Sequence, residues 1–353
     1  MEYTNPAYHV LRIQSEAPPE IPYGIQMVGA PLEWVETKGA GIKVAVIDTG
    51  SPNHPDIKVT NAISFVGGSP LDERGHGTHV SSTIAANGKI KGVAPEVELY
   101  VLKVAKTSGG LDSAAIAKAL YWCRDNGMDV VNMSLGGPAP DSGIAAACKA
   151  CYDAGIVLVA SAGNYGRDYG VLYPAKLPEV IATAAVDVNK QVADFSAYGM
   201  ELDVAAAGVE VWGCWLNNQY CFLQGTSMAS PHIAGAAALI QAKGKIREGK
   251  KYSPGEVLKF LRLYAEDLGE KGNDERYGCG VFSFGRISET KVLKMKIGNK
   301  VYMVNGQEHG MDVAPKLIEG RSWTPSRYVA EGLGATVEWN GANQEVIATL
   351  RTG

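Results

Sequence analysis

The sequence predicts an α/β fold: a doubly wound, mostly parallel sheet with helices on both faces, followed by a small C-terminal β-rich α+β domain. Three observations carry this. Between residues 42 and 208, near-continuous β-branched and apolar runs alternate with amphipathic stretches, the pattern of buried parallel strands joined by helices. A long stretch from Ser227 to Ile240 is rich in Ala and Gly, which suits a helix buried on most sides. Beyond about residue 290 the pattern changes to short alternating segments around Gly and Asn turns.

The elements follow in order. Residues 1–20 form an arm in which Pro6, Pro18 and Pro19 discourage helix. Strands are expected at Ile42–Ile47, Leu99–Val104, Val130–Leu135, Ile156–Ala160, Val180–Ala185 and Leu202–Ala205. Helices are expected at Ser113–Asp125, with Ile116, Leu120 and Cys123 on one face, and at Ser142–Asp153. In the helix from Ser227, Pro231 is tolerable as a residue near the first turn. In the C-terminal piece, Lys294–Ile297 and Val301–Val304 alternate about Gly298-Asn299 as a hairpin. Pro325–Leu333 suits a short helix, and Thr336–Trp339 pairs with Glu345–Leu350 about Asn340-Gly341. The resulting division is an extension over 1–20, a main domain over 21–288 and a small domain over 290–353.

Composition narrows the function. A net charge of −4 and the lack of a basic cluster exclude nucleic acid as a standing partner. No apolar run reaches the roughly 20 residues that span a bilayer. The first residues, Met-Glu-Tyr-Thr-Asn-Pro, show neither a basic n-region nor an apolar h-region, so a cytoplasmic location is expected, with the cell surface or exterior as the alternative. Six cysteines do not form a disulfide scaffold. Cys148 and Cys151 read as two thiols on a packed helix, whereas Cys214 and Cys221 flank a hairpin and would pair only if oxidised.

Three strings carry the chemistry: Val-Ala-Val-Ile-Asp-Thr-Gly at 44–50, Gly-His-Gly-Thr-His-Val at 75–80 and Gly-Thr-Ser-Met-Ala-Ser-Pro-His at 225–232. A serine hydroxyl attacks only when a base takes its proton, and a carboxylate must hold that base in the right tautomer. Asp48, at the C-terminal end of an apolar strand, suits the carboxylate. Spacing alone does not choose between His76 and His79 as base. Ser227 lies between Gly225 and a helix start, where the helix N-terminus favours an oxyanion.

These strings resemble those of the subtilisin-like serine proteases, over roughly residues 18–288. Further matching segments are His-Pro-Asp at 54–56, Gly-Val-Ala-Pro at 92–95, Asn-Met-Ser-Leu-Gly-Gly-Pro at 132–138, Ala-Gly-Asn at 162–164 and Tyr-Gly-Cys-Gly at 277–280. The resemblance implies a serine endopeptidase in which Asp48, His76 and Ser227 form the triad and Asn164 completes the oxyanion hole. His79 would be a buried helix residue. Ser134, Leu135 and Gly136 would pair with an extended polypeptide substrate, and Ala162, Gly163 and Leu172 would complete the substrate-binding set. Leu172, near the floor of the primary pocket, would favour small or medium side chains. A scaffold protein that merely retains the fold is the rival reading, and the complete triad with Asn164 speaks against it.

The chain also departs from the secreted members of the family. Only about 17–20 residues precede Ile21-Pro-Tyr-Gly, similar to the intracellular subtilisins, whose short extension blocks the site. Residues around 3–10 are therefore expected in the chain's own substrate groove, with Pro6 displacing the backbone from attack and the enzyme made as a latent precursor. Ala85–Ile90 is shorter than the family's calcium-wrapping loop and leaves Asp56 as the one recognisable ligand, so that strong site is expected to be absent. Backbone carbonyls near Ala175, Leu177 and Val180 remain for a weak calcium or sodium site. No cofactor is required for the chemistry, and nothing argues against a homo-oligomer. The C-terminal piece resembles the domain named for the N-terminal region of copper amine oxidases, met elsewhere as a stalk. It matches at Val301–Gly306, Met311–Pro315, Pro325–Gly334 and Val337–Trp339. Copper is not expected, because His309 is its one histidine and it has no cysteine.

Overall fold

The alternating segments assemble into a nine-stranded sheet in the computed structural model, which describes residues 9–16, 18–106, 110–287, 293–304, 307–318, 321–332, 336–340 and 345–349. The chain divides into two units, Met1–Arg286 and Ile287–Gly353. In the first, the elements are β1 (His9–Gln14), α1 (Tyr23–Val28), α2 (Ala30–Glu33), β2 (Lys43–Asp48), β3 (Asn61–Ser64), α3 (His76–Ala85), β4 (Glu98–Lys103) and α4 (Ser113–Asp125). They continue with β5 (Val130–Met133), α5 (Ser142–Asp153), β6 (Val157–Ser161), β7 (Val180–Val186), β8 (Val204–Ala207), β9 (Val211–Cys214), β10 (Tyr220–Gln224), α6 (Thr226–Glu248), α7 (Pro254–Leu263), β11 (Ala265–Glu266) and β12 (Val281–Phe282). The sheet runs β11-β12-β8-β7-β6-β5-β2-β4-β3, and every pair is parallel except β11 with β12.

Alternation along each strand feeds two cores. Val44 and Val46 of β2, with Val157 and Val159 of β6, face the layer that holds α3 and α6. Ala45, Ile47, Leu158 and Ala160 face the layer of α4 and α5, where Cys123, Cys148 and Cys151 are packed as free thiols. Caps set the helix starts: Asp112 accepts from the Ala115 amide, and Asp141 accepts from those of Gly143 and Ile144. The small residues of α6 let it lie deep. A Cβ at Gly235 would come within 2.5 Å of Val93, so only glycine permits that approach.

Two further histidines are sealed in this layer. His79 of α3 donates from Nε2 to the Val211 carbonyl at 3.0 Å, and His232 of α6 donates from Nδ1 to the Met228 carbonyl at 2.8 Å. Burial lowers their pKa values from 6.5 to about 3 and about 4. Both depressed values mean that the unfolded chain binds the protons more readily. Stability is therefore complete above about pH 6.5 and falls as the pH drops towards 4, by about 1.4 kcal/mol per pH unit for each group. Urea unfolding of an inactive chain between pH 7 and 4 should show this slope, and a flat profile would contradict it.

Outside the main sheet, β1, β10 and β9 make a three-stranded antiparallel sheet in which His9 lies opposite Gln224 and Gln14 opposite Tyr220. The proposed groove-binding segment falls, up to residue 8, outside the described residues. In the β9–β10 pair Cys214 faces Tyr220, so Cys221, one residue on, points to the other side. That alternation opposes the Cys214–Cys221 disulfide considered from sequence, and both thiols are free.

The second unit holds a sheet of β13 (Leu293–Met295), β14 (Val301–Val304) and β15 (Gln307–Gly310). It continues with the pair β16 (Lys316–Ile318) and β17 (Arg321–Trp323), α8 (Ser326–Gly332), and the pair β18 (Thr336–Asn340) and β19 (Glu345–Thr349). Tyr302 stacks on His309, and the Tyr328 hydroxyl donates to Asp312 at 2.7 Å.

Candidate active site

Parallel strands deliver their C-terminal ends to one edge of the sheet, and the candidate residues gather there. Asp48 is the last residue of β2, His76 the first of α3 and Ser227 the second of α6, and all three side chains are buried. His76 Nδ1 lies 2.8 Å from Asp48 Oδ1, and the same oxygen accepts from the Thr49 amide at 2.6 Å. A carboxylate on Nδ1 puts a proton there and makes Nε2 the basic nitrogen. Of the two histidines in this segment, His76 therefore faces the acid and His79 faces Val211.

Glycine sets the entry to both helices. Gly75, at φ 88°, precedes His76, and a Cβ there would strike the Trp215 ring at 2.5 Å. Gly225, at φ 149°, precedes α6. Ser227 thus sits in the first turn, where amides have no intrahelical acceptor and the helix dipole presents positive charge.

Asn164 follows β6. Its Oδ1 accepts from the Thr226 amide at 2.8 Å and from the Thr226 hydroxyl at 2.7 Å. An amide N–H requires an oxygen opposite, so Nδ2 is the end turned away from Thr226. Thr226 Oγ1 also accepts from the Gly163 amide at 3.1 Å, tying the β6 loop to the start of α6.

Ser134 follows β5, but its hydroxyl turns inward, donating to the Ser227 carbonyl at 2.8 Å and lying 2.9 Å from Ser230 Oγ. The reason is Pro231, which lies in the second turn of α6 and not near the first as expected. Having no N–H, it leaves the Ser227 carbonyl without its helical donor, and Ser134 takes that place. Asn132 Nδ2 donates to the same hydroxyl at 3.0 Å. Ser134→Ala should therefore cost about 1–3 kcal/mol of stability through an unsatisfied buried carbonyl, read as a lower urea midpoint with unchanged m-value.

Asp72 and Thr226 also shape the site, although no catalytic string of the sequence marks their roles. Asp72 Oδ1 accepts from Thr49 Oγ1 (2.9 Å) and the amides of Arg74 (2.9 Å) and Gly75 (3.0 Å), while Oδ2 accepts from the Thr78 amide (2.8 Å) and hydroxyl (2.7 Å). Thr49 Oγ1 in turn accepts from the Gly77 amide at 2.8 Å. One buried carboxylate thus locks the end of β2 to the start of α3, which holds Asp48 against His76. An acid shortly before Gly-His-Gly was the available signal, since such residues cap helix starts.

Leu172 is buried between the two loops that flank Ser227. Its side chain lies against Gly136 and Gly163, and its amide donates to the Ala162 carbonyl at 2.8 Å. Tyr173 exchanges both backbone hydrogen bonds with Gly137. Near the suggested cation position, the Leu177 carbonyl already accepts from the Val180 amide at 3.0 Å.

A buried acid–imidazole pair and a serine at a helix start, all at the carboxyl edge of a parallel sheet, define the class: a serine endopeptidase. The chain belongs to the subtilase family, whose profile matches residues 39–280. Subtilisin DY from Bacillus licheniformis is 47% identical over 260 residues, covering 71% of this chain and 93% of that protein. Subtilisin Savinase from Lederbergia lenta is 40% identical over 267 residues, covering 74% and 96%. A thermostable alkaline protease from Halalkalibacterium halodurans is 38% identical over 277 residues, covering 76% and 74%.

Residues 286–348 match the copper amine oxidase N-terminal domain, which does not bind copper. Subtilases need no cofactor for catalysis, and their substrates are polypeptides. These relatives also correct the cytoplasmic placement expected from the N-terminal residues. They are secreted extracellular subtilisins, and the extracellular alternative fits them better. No helix among the described residues is long and apolar enough to cross a membrane.

Proposed function

We propose that Asp48, His76, Ser227 and Asn164 carry out peptide-bond hydrolysis in an enzyme held latent by its own N-terminal arm. Ser227 Oγ attacks the scissile carbonyl while His76 Nε2 takes its proton. Asp48 holds the Nδ1 proton and stabilises the imidazolium. The oxyanion receives hydrogen bonds from Asn164 Nδ2 and the Ser227 amide. His76 then protonates the leaving amine, and water releases the acyl group by the same steps in reverse. The backbone of Ser134–Gly136 pairs with the substrate as an added strand.

The observation that carries the latency is the pairing of β1 with β10. The arm runs antiparallel to the strand that enters Ser227, and His9 lies beside Gln224, three residues before the nucleophile. The first described residue of the arm thus lies at the end of β10 nearest Ser227, which supports an arm that covers the cleft. The test compares the full chain with Ser227→Ala by intact mass. Only the active chain should lose its first 15–20 residues, and casein hydrolysis should appear with that loss. Full activity in a chain that retains residues 1–17 would overturn the latency.

Leu172 between Gly136 and Gly163 supports a shallow primary pocket that takes small or medium side chains. Leu172→Gly should shift kcat/KM towards bulky side chains by about 10–200-fold relative to Ala, as one pocket contact commonly does. Paired peptide substrates that differ only at that residue read the shift. The carbonyls of Ala175, Leu177 and Val180 would hold sodium or calcium weakly, since they bring no charged ligand. The C-terminal unit serves as a spacer, binding or packing module.

A further inference from the structure

Below the turn that follows α3, away from the triad, three side chains of different donor chemistry converge. His54 and Asp56 lie on the loop after β2 and Cys214 ends β9, and all three are buried. One imidazole nitrogen, one carboxylate oxygen and the thiol sulfur lie within 4.8 Å of one another. Asp56 is the acid left from the family's calcium loop, yet these donors do not suit calcium. That ion takes six to eight oxygens, whereas here a single carboxylate is joined by nitrogen and sulfur, the ligands of zinc-class metals.

The surroundings hold the group in place. The Tyr220 hydroxyl donates to Asp56 Oδ2 at 2.9 Å, and its ring stands edge-on to His54 at 5.2 Å. The Ile90 amide adds a long contact to the same oxygen at 3.3 Å. The turn backbone covers the carboxylate so closely that a Cβ on Gly88 would come within 2.0 Å of Oδ1. The imidazole is only partly used: Nδ1 accepts a 3.2 Å bond from the Asp56 amide. The Gln219 carbonyl lies near the ring, but Nε2 makes no hydrogen bond of ordinary geometry.

We propose that His54, Asp56 and Cys214 bind a divalent transition metal of the zinc class, with water at the remaining position. Binding replaces the Cys214 S–H bond by a metal–sulfur bond and releases that proton to solvent, while the His54 Nδ1 lone pair turns from the long Asp56 amide contact to the metal and Nε2 keeps the ring proton. The metal ties the loop after β2, which begins beside Asp48, to the β9–β10 pair that enters α6. Its role is to brace both ends of the active site without taking part in catalysis.

The test uses the full chain with Ser227→Ala, so that it cannot digest itself, reduced and stripped with chelator. Titration with Co2+ alone should give one equivalent of binding with thiolate-to-metal charge-transfer absorption. Cys214→Ser should abolish that absorption, and His54→Gln should weaken binding by at least about 10–100-fold. Should Cys214→Ser fail to fold, alkylation with and without Zn2+, mapped by peptide mass, replaces it. Cys214 is then expected to be the thiol that Zn2+ protects. No charge-transfer absorption, absorption that persists in Cys214→Ser, or equal labelling of Cys214 with and without Zn2+ would each overturn the site.

Discussion

Ser227→Ala is expected to lower kcat by about 10⁶-fold, a magnitude carried over from subtilisin itself, and to leave the residual rate set by the oxyanion hole and substrate binding. The side chain is buried at the start of α6, and its amide stays in place when Oγ is lost, so the fold and the backbone donor should survive. The comparison is best made after another protease has removed the arm from both proteins. Turnover of a peptide anilide by Ser227→Ala at a rate near wild type would place the nucleophile elsewhere.

Asp48→Asn should reduce kcat by about 10⁴-fold while KM changes little. Asp48 Oδ1 accepts from both the Thr49 amide and His76 Nδ1. An asparagine must keep its oxygen towards the Thr49 N–H, so the ring orientation is retained. What disappears is the negative charge that stabilises the imidazolium, which forms only as the transition state is reached. A loss confined to kcat therefore reports charge, whereas a large rise in KM or a collapse in thermal stability would report disrupted geometry instead. Steady-state kinetics together with a melting curve separates the two.

Much of the fold was legible because its signals are local. The helices at Ser113–Asp125 and Ser142–Asp153 were readable to the residue, since an aspartate caps each and an apolar face continues behind it. The sheet strands were readable because burial on both faces demands unbroken apolar runs. The hairpin around Gly298-Asn299 was readable from its turn, and the pairing of Thr336–Asn340 with Glu345–Thr349 from the alternation of both segments. Less visible were β3, whose four mostly half-buried residues carry no long apolar run, and the pairing of β1 with β10, which joins residues more than 200 positions apart.

The residue types needed for the chemistry, their order along the chain and the strings that surround them are properties of the sequence, because a triad needs an acid, an imidazole and a hydroxyl whatever the fold. Which histidine meets Asp48 is a matter of space: one turn of helix turns His76 towards the acid and His79 towards Val211. The same holds for Ser134, which fills the hydrogen-bond gap left by Pro231 in an element distant in sequence. It holds too for Asp56, whose neighbours His54 and Cys214 meet only after the sheet has closed. Local chemistry sets what a residue is able to do, and long-range packing selects the partner with which it does it.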